Sequence, residues 1–363
     1  MRLGLNLGYA TSAAGLRENL QLAVAADRIG YDVVWVAEAY GSDAASVLGA
    51  IAAGTERIGI GSAVFQIPGR TPAMTAMTAA TLDALSAGRF RLGLGVSGPQ
   101  VSEGWHGVRF SDPLGRTREY VQIVRQALSR RRVTADGDHF TLPLADGAGK
   151  SLVLSLQTVR PTVPIYLAAV GPKNLALTGE IADGWLGIFF DAGSDGRSTG
   201  STAGSTTGSA GISQIRAAAT AAGRNPAAMD ISIQVPLALH RDPEKAAMLV
   251  RPTAALYIGG MGSKKVNFYH RIAASMGYER EADQVQESFL ARDYTGAAAA
   301  VPFEFIDRTS LIGDPDRIIQ RLRTLDQQGV TTVNVSPADP GLDTRLEALH
   351  AVHAAAATAG VLA

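Results

Sequence analysis

The chain of 363 residues contains no cysteine. Disulfides, thiolate metal sites and cysteine nucleophiles are therefore excluded together. It also has no surplus of charge, with 33 lysines and arginines against 33 aspartates and glutamates. Without a basic excess there is no electrostatic footprint for nucleic acid, and none is expected as a partner. Nowhere do apolar residues run on for the roughly eighteen positions a bilayer span requires. The opening Met1-Arg2-Leu3-Gly4-Leu5-Asn6 is a short strand-like run rather than the longer apolar core of a secretory signal. A cytoplasmic enzyme acting on a small molecule, away from membranes, is the expectation.

What is present is a core-forming composition, 46% apolar, and a rhythm. Short β-rich runs alternate with helical patterns: Leu3 to Leu7, Val33 to Ala37, Arg57 to Val64, Phe90 to Gly95, Ile165 to Ala169, Trp185 to Phe190, Ile231 to Leu239 and Thr331 to Val335. Between them lie helical stretches with local signals. One ends at Gly30, one opens at Thr71-Pro72, where threonine caps and proline suits the first turn, and one opens at Asp314-Pro315. Continuous Val/Ile/Leu strands separated by helices indicate a parallel sheet covered on its outer face. Eight such units predict a closed (β/α)8 barrel, residues 1–363 forming one domain. Insertions are expected at about 135–162, at about 191–213 (rich in Gly, Ser and Thr), and at about 243–305. The low-complexity tract from Gly193 to Gly211 reads either as a linker or as a flap over the barrel mouth.

Three motifs mislead. Gly93-Leu94-Gly95-Val96-Ser97-Gly98 matches the dinucleotide pattern G-x-G-x-x-G. However, Pro99 follows at once, and helical periodicity is not expected before about Leu114. Gly147-Ala148-Gly149-Lys150-Ser151 resembles the end of a P-loop, but Leu144 stands where the first glycine belongs and a strand-like run follows. His350 and His353 have ligand spacing on the last helix but read as a solvated helix face, so no metal site is expected.

In a parallel barrel, functional residues lie just after the C-terminal ends of the strands. That rule selects Gly8-Tyr9, Glu38-Ala39-Tyr40, Val64-Phe65-Gln66, Ser97-Gly98-Pro99-Gln100, Val170-Gly171-Pro172-Lys173-Asn174 and the region after Ile188. The segment from Val170 to Asn174 joins a strand to a helix, where free backbone amides, a glycine and Lys173 suit an anionic phosphate; an ordinary helix start remains the alternative. The loop after the fourth strand adds Glu103, Trp105 and His106, suited to contacts with a substrate or a ring. Tyr9, Tyr40, Glu103 and His106 are the candidate proton donors, and Tyr9, Gln66 and Trp105 the candidate substrate contacts. Glu38 either orients a ligand or braces the barrel, since a buried carboxylate needs a partner.

Several of these stretches, taken in order, resemble the luciferase-like barrel superfamily, especially its F420-dependent oxidoreductases. They are residues 34–43 (VWVAEAYGSD), 61–84 (GSAVFQIPGRTPAMTAMTAATLDA), 92–108 (LGLGVSGPQVSEGWHGV), 164–185 (PIYLAAVGPKNLALTGEIADGW), 256–262 (LYIGGMG) and 310–313 (SLIG). The resemblance implies hydride exchange between the deazaflavin coenzyme F420 and an imine, a polarised C=C bond or an alcohol. It also implies a cis peptide at Ala63-Val64 pressing on the back of the ring, and phosphate contacts at Gly171 through Asn174. Two other readings stay open: an FMN-dependent monooxygenase of the same superfamily, and a barrel that binds deazaflavin without catalysis. The sugar-phosphate and alcohol dehydrogenases of the family carry Asp-His after the second strand and Gly-Glu after the fourth. Here those places read Glu38-Ala39 and Ser97-Gly98, so their substrates do not carry over. Ala73, Ala76, Ala80 and Ala84 give the third helix a small-residue side. This side serves either a homodimer, as the resemblance implies, or packing onto the chain's own barrel.

Overall fold

The computed structural model describes residues 1–193, 208–262 and 267–362. Eight parallel strands form the barrel: β1 Arg2–Asn6, β2 Val33–Val36, β3 Gly59–Ser62, β4 Phe90–Gly95, β5 Ile165–Ala168, β6 Gly184–Ile188, β7 Asp230–Leu239 and β8 Thr332–Pro337. Each pairs in parallel with its neighbour, and β8 returns to β1 with Leu3 opposite Val333, which closes the cylinder. Local chemistry sets the helices between them. In α1, Ala13–Ile29, Ser12 caps the first turn by accepting from the Gly15 amide, and Gly30 ends the helix in the left-handed region at φ 109°. In α2, Ala44–Gly54, Asp43 caps by accepting from the Ser46 amide. In α3, Pro72–Leu85, Thr71 caps and proline takes the first position.

The barrel interior is filled rather than hollow. The Trp35 indole meets Tyr166 edge-on at 5.2 Å, and its Nε1 donates to Asn334 Oδ1 at 2.9 Å. Asn334 Nδ2 then donates to Ser232 Oγ at 2.7 Å. These buried polar atoms are matched, which avoids a desolvation penalty of about 1–3 kcal/mol for each orphan. At the N-terminal floor, Tyr166 donates to Asp230 at 2.8 Å, and Arg2 pairs with the same carboxylate at 2.8 Å.

A second hydrophobic cluster lies beyond the C-terminal end of β7. It is built from Ala246, Val250, Ala254, Ile272, Val285, Phe305 and Ile306 of the large insertion, and it packs against Val170, Ile188, Phe189 and Ala338 at the strand ends. The insertion's described residues form a series of separate helices, the first Pro243–Ala255 and the last Phe303–Thr309, followed by a short strand, Leu311–Gly313, paired in parallel with Leu237–Leu239. That strand escaped the sequence reading because three residues carry no detectable period. The helix Ser209–Ala221 begins inside the stretch read as the Gly/Ser/Thr insertion. Residues 194–207, and with them the choice between linker and flap, lie outside the described residues. Among the described residues, no helix is long and apolar enough to cross a membrane.

Candidate active site

The expected cofactor face is made by the ends of three adjacent strands, β3, β4 and β5. β3 pairs with β4 up to Gly61 opposite Arg91, and pairing resumes with Phe65 opposite Leu94. Four steps on one strand therefore match three on the other, which makes a bulge. The Ala63–Val64 peptide inside it is cis. Ser62 Oγ stitches the bulge to β4, donating to the Gly93 carbonyl at 2.8 Å and accepting from its amide at 2.9 Å. The glycines of the false dinucleotide motif serve this join. A Cβ on Gly93 would collide with the Ser62 carbonyl, and one on Gly95 would sit 2.5 Å from Val64 Cγ2. Val64 thus leans over the end of β4 as a small apolar shelf. After Gly98 the chain does turn into helix at once, Pro99–Gly104, which corrects the expectation that helix waits until Leu114. Six residues are too few for periodicity to register. Ser97, just before it, adopts the left-handed region at φ 62°.

Glu38 and His106, from two loops, are brought together by Gln66 of the strand fragment Phe65–Gln66. Both Glu38 oxygens are engaged by Arg70, at 3.1 Å from Nε and 3.0 Å from Nη2, and Arg70 also reaches Asp43 at 2.7 Å. Burial opposes the charge on Arg70, but Glu38 and Asp43 outweigh it and raise its pKa further. The guanidinium stacks on Phe65 at 4.5 Å. Gln66 donates through Nε2 to the Glu38 carbonyl at 2.8 Å, which leaves its Oε1 facing His106 Nε2 at 2.7 Å. A carboxamide oxygen only accepts, so His106 carries its proton on Nε2 and keeps Nδ1 uncommitted by this bond. Gly69 lies against the imidazole, where an added Cβ would stand 2.9 Å from Cε1.

The other candidates separate. Tyr9 and Tyr40 approach at 6.1 Å between ring centroids. Burial, and then the neighbouring Tyr40 phenol, raise the pKa of Tyr9. Tyr40 reaches Met261 Sδ at 3.9 Å. Glu103 is exposed and accepts from the Phe110 amide at 3.0 Å, holding its own loop. Trp105 is 66% exposed. Val170 packs on the second cluster, and Gly171 is the N-cap of α4, Pro172–Ile181, without a side-chain cap. A Cβ on Gly171 or on Gly98 would meet nothing within 4 Å, so both approaches are open. Lys173 is exposed beside them and Asn174 half-buried. An uncapped helix start with open space in front fits an anionic group, and the shelf at Val64 fits a flat ring. Arg70 and Tyr257, an aromatic residue of the insertion, carry no role legible in the sequence. They stand in the quoted segments IPGRTP and LYIGGMG, but only their partners in space give them one.

The family model for luciferase-like monooxygenases matches residues 2–332. A protein of Mycobacterium tuberculosis named a coenzyme F420-dependent oxidoreductase is 39% identical over 341 residues, covering 93% of this chain and 95% of that protein. The 5,10-methylenetetrahydromethanopterin reductase of Archaeoglobus fulgidus is 29% identical over 317 residues, covering 87% of this chain and 88% of its own. Among solved structures, the F420-dependent tetrahydromethanopterin reductase of Methanopyrus kandleri superposes with a TM-score of 0.79 at 23% identity, over 97% of both chains. With this closed barrel and a match along nearly its whole length, the chain belongs to the luciferase-like monooxygenase family.

Proposed function

We propose that this chain is an F420-dependent oxidoreductase that exchanges a hydride with a small organic molecule. The observation that carries the reading is the near-full-length similarity, at 39% identity, to a relative named for that coenzyme. The rim chemistry supports it. Ala63 and Val64 would back the ring, Ser97 and Gly98 would border it, and the segment from Val170 to Asn174 would receive the anionic tail. When bound, the deazaflavin supplies a hydride from one ring carbon.

The protein's own part is to hold the reacting groups close and to manage a proton. Glu38 is committed to Arg70, which leaves it to brace the rim rather than act as a free base. His106, fixed through Gln66, is the proton carrier with the most defined orientation. Tyr40, Tyr9 and Gln66 complete the substrate side with Trp105 at its edge, while Glu103 ties its own loop.

Titrating the purified protein with F420 and with FMN tests the cofactor. Micromolar or tighter binding of F420, with FMN at least tenfold weaker, is expected; the reverse order supports the monooxygenase reading. Cofactor binding without turnover on any substrate supports a non-catalytic barrel. The same proposal includes a homodimer in the cytoplasm. Ala76 and Ala80 of α3 are buried against the chain's own barrel, whereas Met74, Met77 and Leu85 stand exposed on its outer face. Sedimentation should give a dimer, and Met77→Glu a monomer.

A further inference from the structure

The insertion sends one aromatic residue back toward the barrel mouth. Tyr257 lies on a π-helical turn, Leu256–Gly260, a geometry that recurs at functional sites. The turn is braced from behind. Asn267 Nδ2 donates to the carbonyls of Tyr257 and Ile258, at 3.2 and 2.7 Å. Phe289 presses onto Gly259 and Gly260 so closely that a Cβ on either would lie 2.5 Å from it. In front, the Tyr257 ring meets Tyr269 edge-on at 4.8 Å and Phe189, the residue after β6, at 5.9 Å. Its phenol lies within electrostatic reach of Tyr9 and Tyr40, from the loops after β1 and β2. Met261, one residue beyond the turn, touches the Tyr40 hydroxyl. Rings from the β6 side and from the β1–β2 side therefore converge across the mouth.

This wall is uncharged. Burial raises the pKa of Tyr257 and the neighbouring phenols raise it further, while burial pushes Tyr269 up to about 12. The Glu38 carboxylate of the rim network is paired with Arg70 at 3.0 Å. An anion pressed against such a wall loses hydration without gaining a partner. A flat conjugated molecule gains ring contacts, and a phenol can donate to its carbonyl.

We infer that Tyr257 is the specificity-determining residue of the site, selecting flat, uncharged substrates whose carbonyl is conjugated to a C=C bond and donating a hydrogen bond to that carbonyl. The inference rests on the hydride-transfer reading above. The carbon β to the carbonyl would receive a hydride, one proton with two electrons, from the reduced deazaflavin. The C=C pair would shift toward the oxygen held by Tyr257, and His106 would give the α carbon the second proton, leaving the saturated ketone and oxidised deazaflavin.

The test uses reduced F420 with 2-cyclohexen-1-one as probe and glucose 6-phosphate as the anionic counter-probe. Wild type, Tyr257→Phe and Tyr257→Ala are compared, and the affinity of each for F420 is titrated first. Affinity within twofold across the three, turnover of the enone but not of the sugar phosphate, a KM raised about tenfold in the Phe variant and kcat/KM lowered about 100-fold in the Ala variant are expected. Calorimetry of menadione into enzyme loaded with oxidised F420 should show the same order of binding without turnover. Turnover of glucose 6-phosphate in preference to the enone, or variants equal to wild type in KM and in menadione binding, overturns the inference. Failure of wild type to bind F420 is a different result, and it overturns the parent reading.

Discussion

His106 Nε2 and Gln66 Oε1 stand 2.7 Å apart, although one belongs to the loop after β4 and the other to the strand fragment that closes the β3 bulge. The bond ties the loop after β4 to the bulge after β3. It makes the bulge that backs the proposed ring also the support of the proposed proton carrier.

If His106 moves the proton, His106→Ala should slow single-turnover substrate reduction by about 100-fold or more, the lower range for a lost general acid. Gln66→Leu should slow it about tenfold, because the imidazole remains but is no longer held. F420 affinity should change little in either variant. An unchanged rate in His106→Ala would assign the proton to solvent or to another group.

Gly95→Ala places a methyl 2.5 Å from Val64 Cγ2. The shelf must then shift, at about 1–3 kcal/mol for an overpacked contact. Thermal unfolding should fall by several degrees, and F420 should bind about tenfold more weakly by fluorescence titration. A stability loss with unchanged affinity would separate the shelf from the cofactor.

Arg70→Met leaves Glu38 facing the rim without its cation. The two side chains are only 14% and 13% exposed. Urea unfolding should show a loss of about 2 kcal/mol, below the ~3–5 of a fully buried broken pair because some hydration remains. The double variant Arg70→Met with Glu38→Leu should recover part of that loss.

Asp27, near the end of α1, accepts from the amides of Glu56, Arg57 and Ile58 at 3.0, 3.0 and 2.6 Å. Burial opposes its charge, but these three bonds and the Arg57 cation outweigh it and hold its pKa below the ordinary 3.8. The folded chain therefore binds fewer protons at this group than the unfolded chain does. The stabilisation is present above pH 3.8 and is lost as pH falls through the lower, folded value. Urea unfolding of wild type and Asp27→Asn should differ most near pH 7, and the difference should shrink below pH 3.8. A difference independent of pH would show that the hydrogen bonds matter and the charge does not.

Much of the architecture was legible along the chain, because strand runs, caps and turns are local. Phe90–Gly95 was read to the residue, and Thr71-Pro72 marked the start of α3. Legibility failed where an element was too short to carry a period, as at Pro99–Gly104 and Leu311–Gly313. It failed again where a glycine pattern had a packing cause: Gly93 and Gly95 answer to Ser62 and Val64 on the neighbouring strand, and no adjacent residue announces that.

By itself the sequence determined the eight alternating units and the loops that belong to the C-terminal rim, since both follow from hydrophobic period and chain direction. Tertiary structure alone decided that Glu38 is spent on Arg70, that His106 is held by Gln66, and that Met261, beside the Tyr257 turn, returns to Tyr40. These are contacts between groups some 30 to 220 positions apart. Their partners are set by closure of the cylinder and by the insertion folding back over it, and hydrogen-bond and ring geometry leave no trace in residue order.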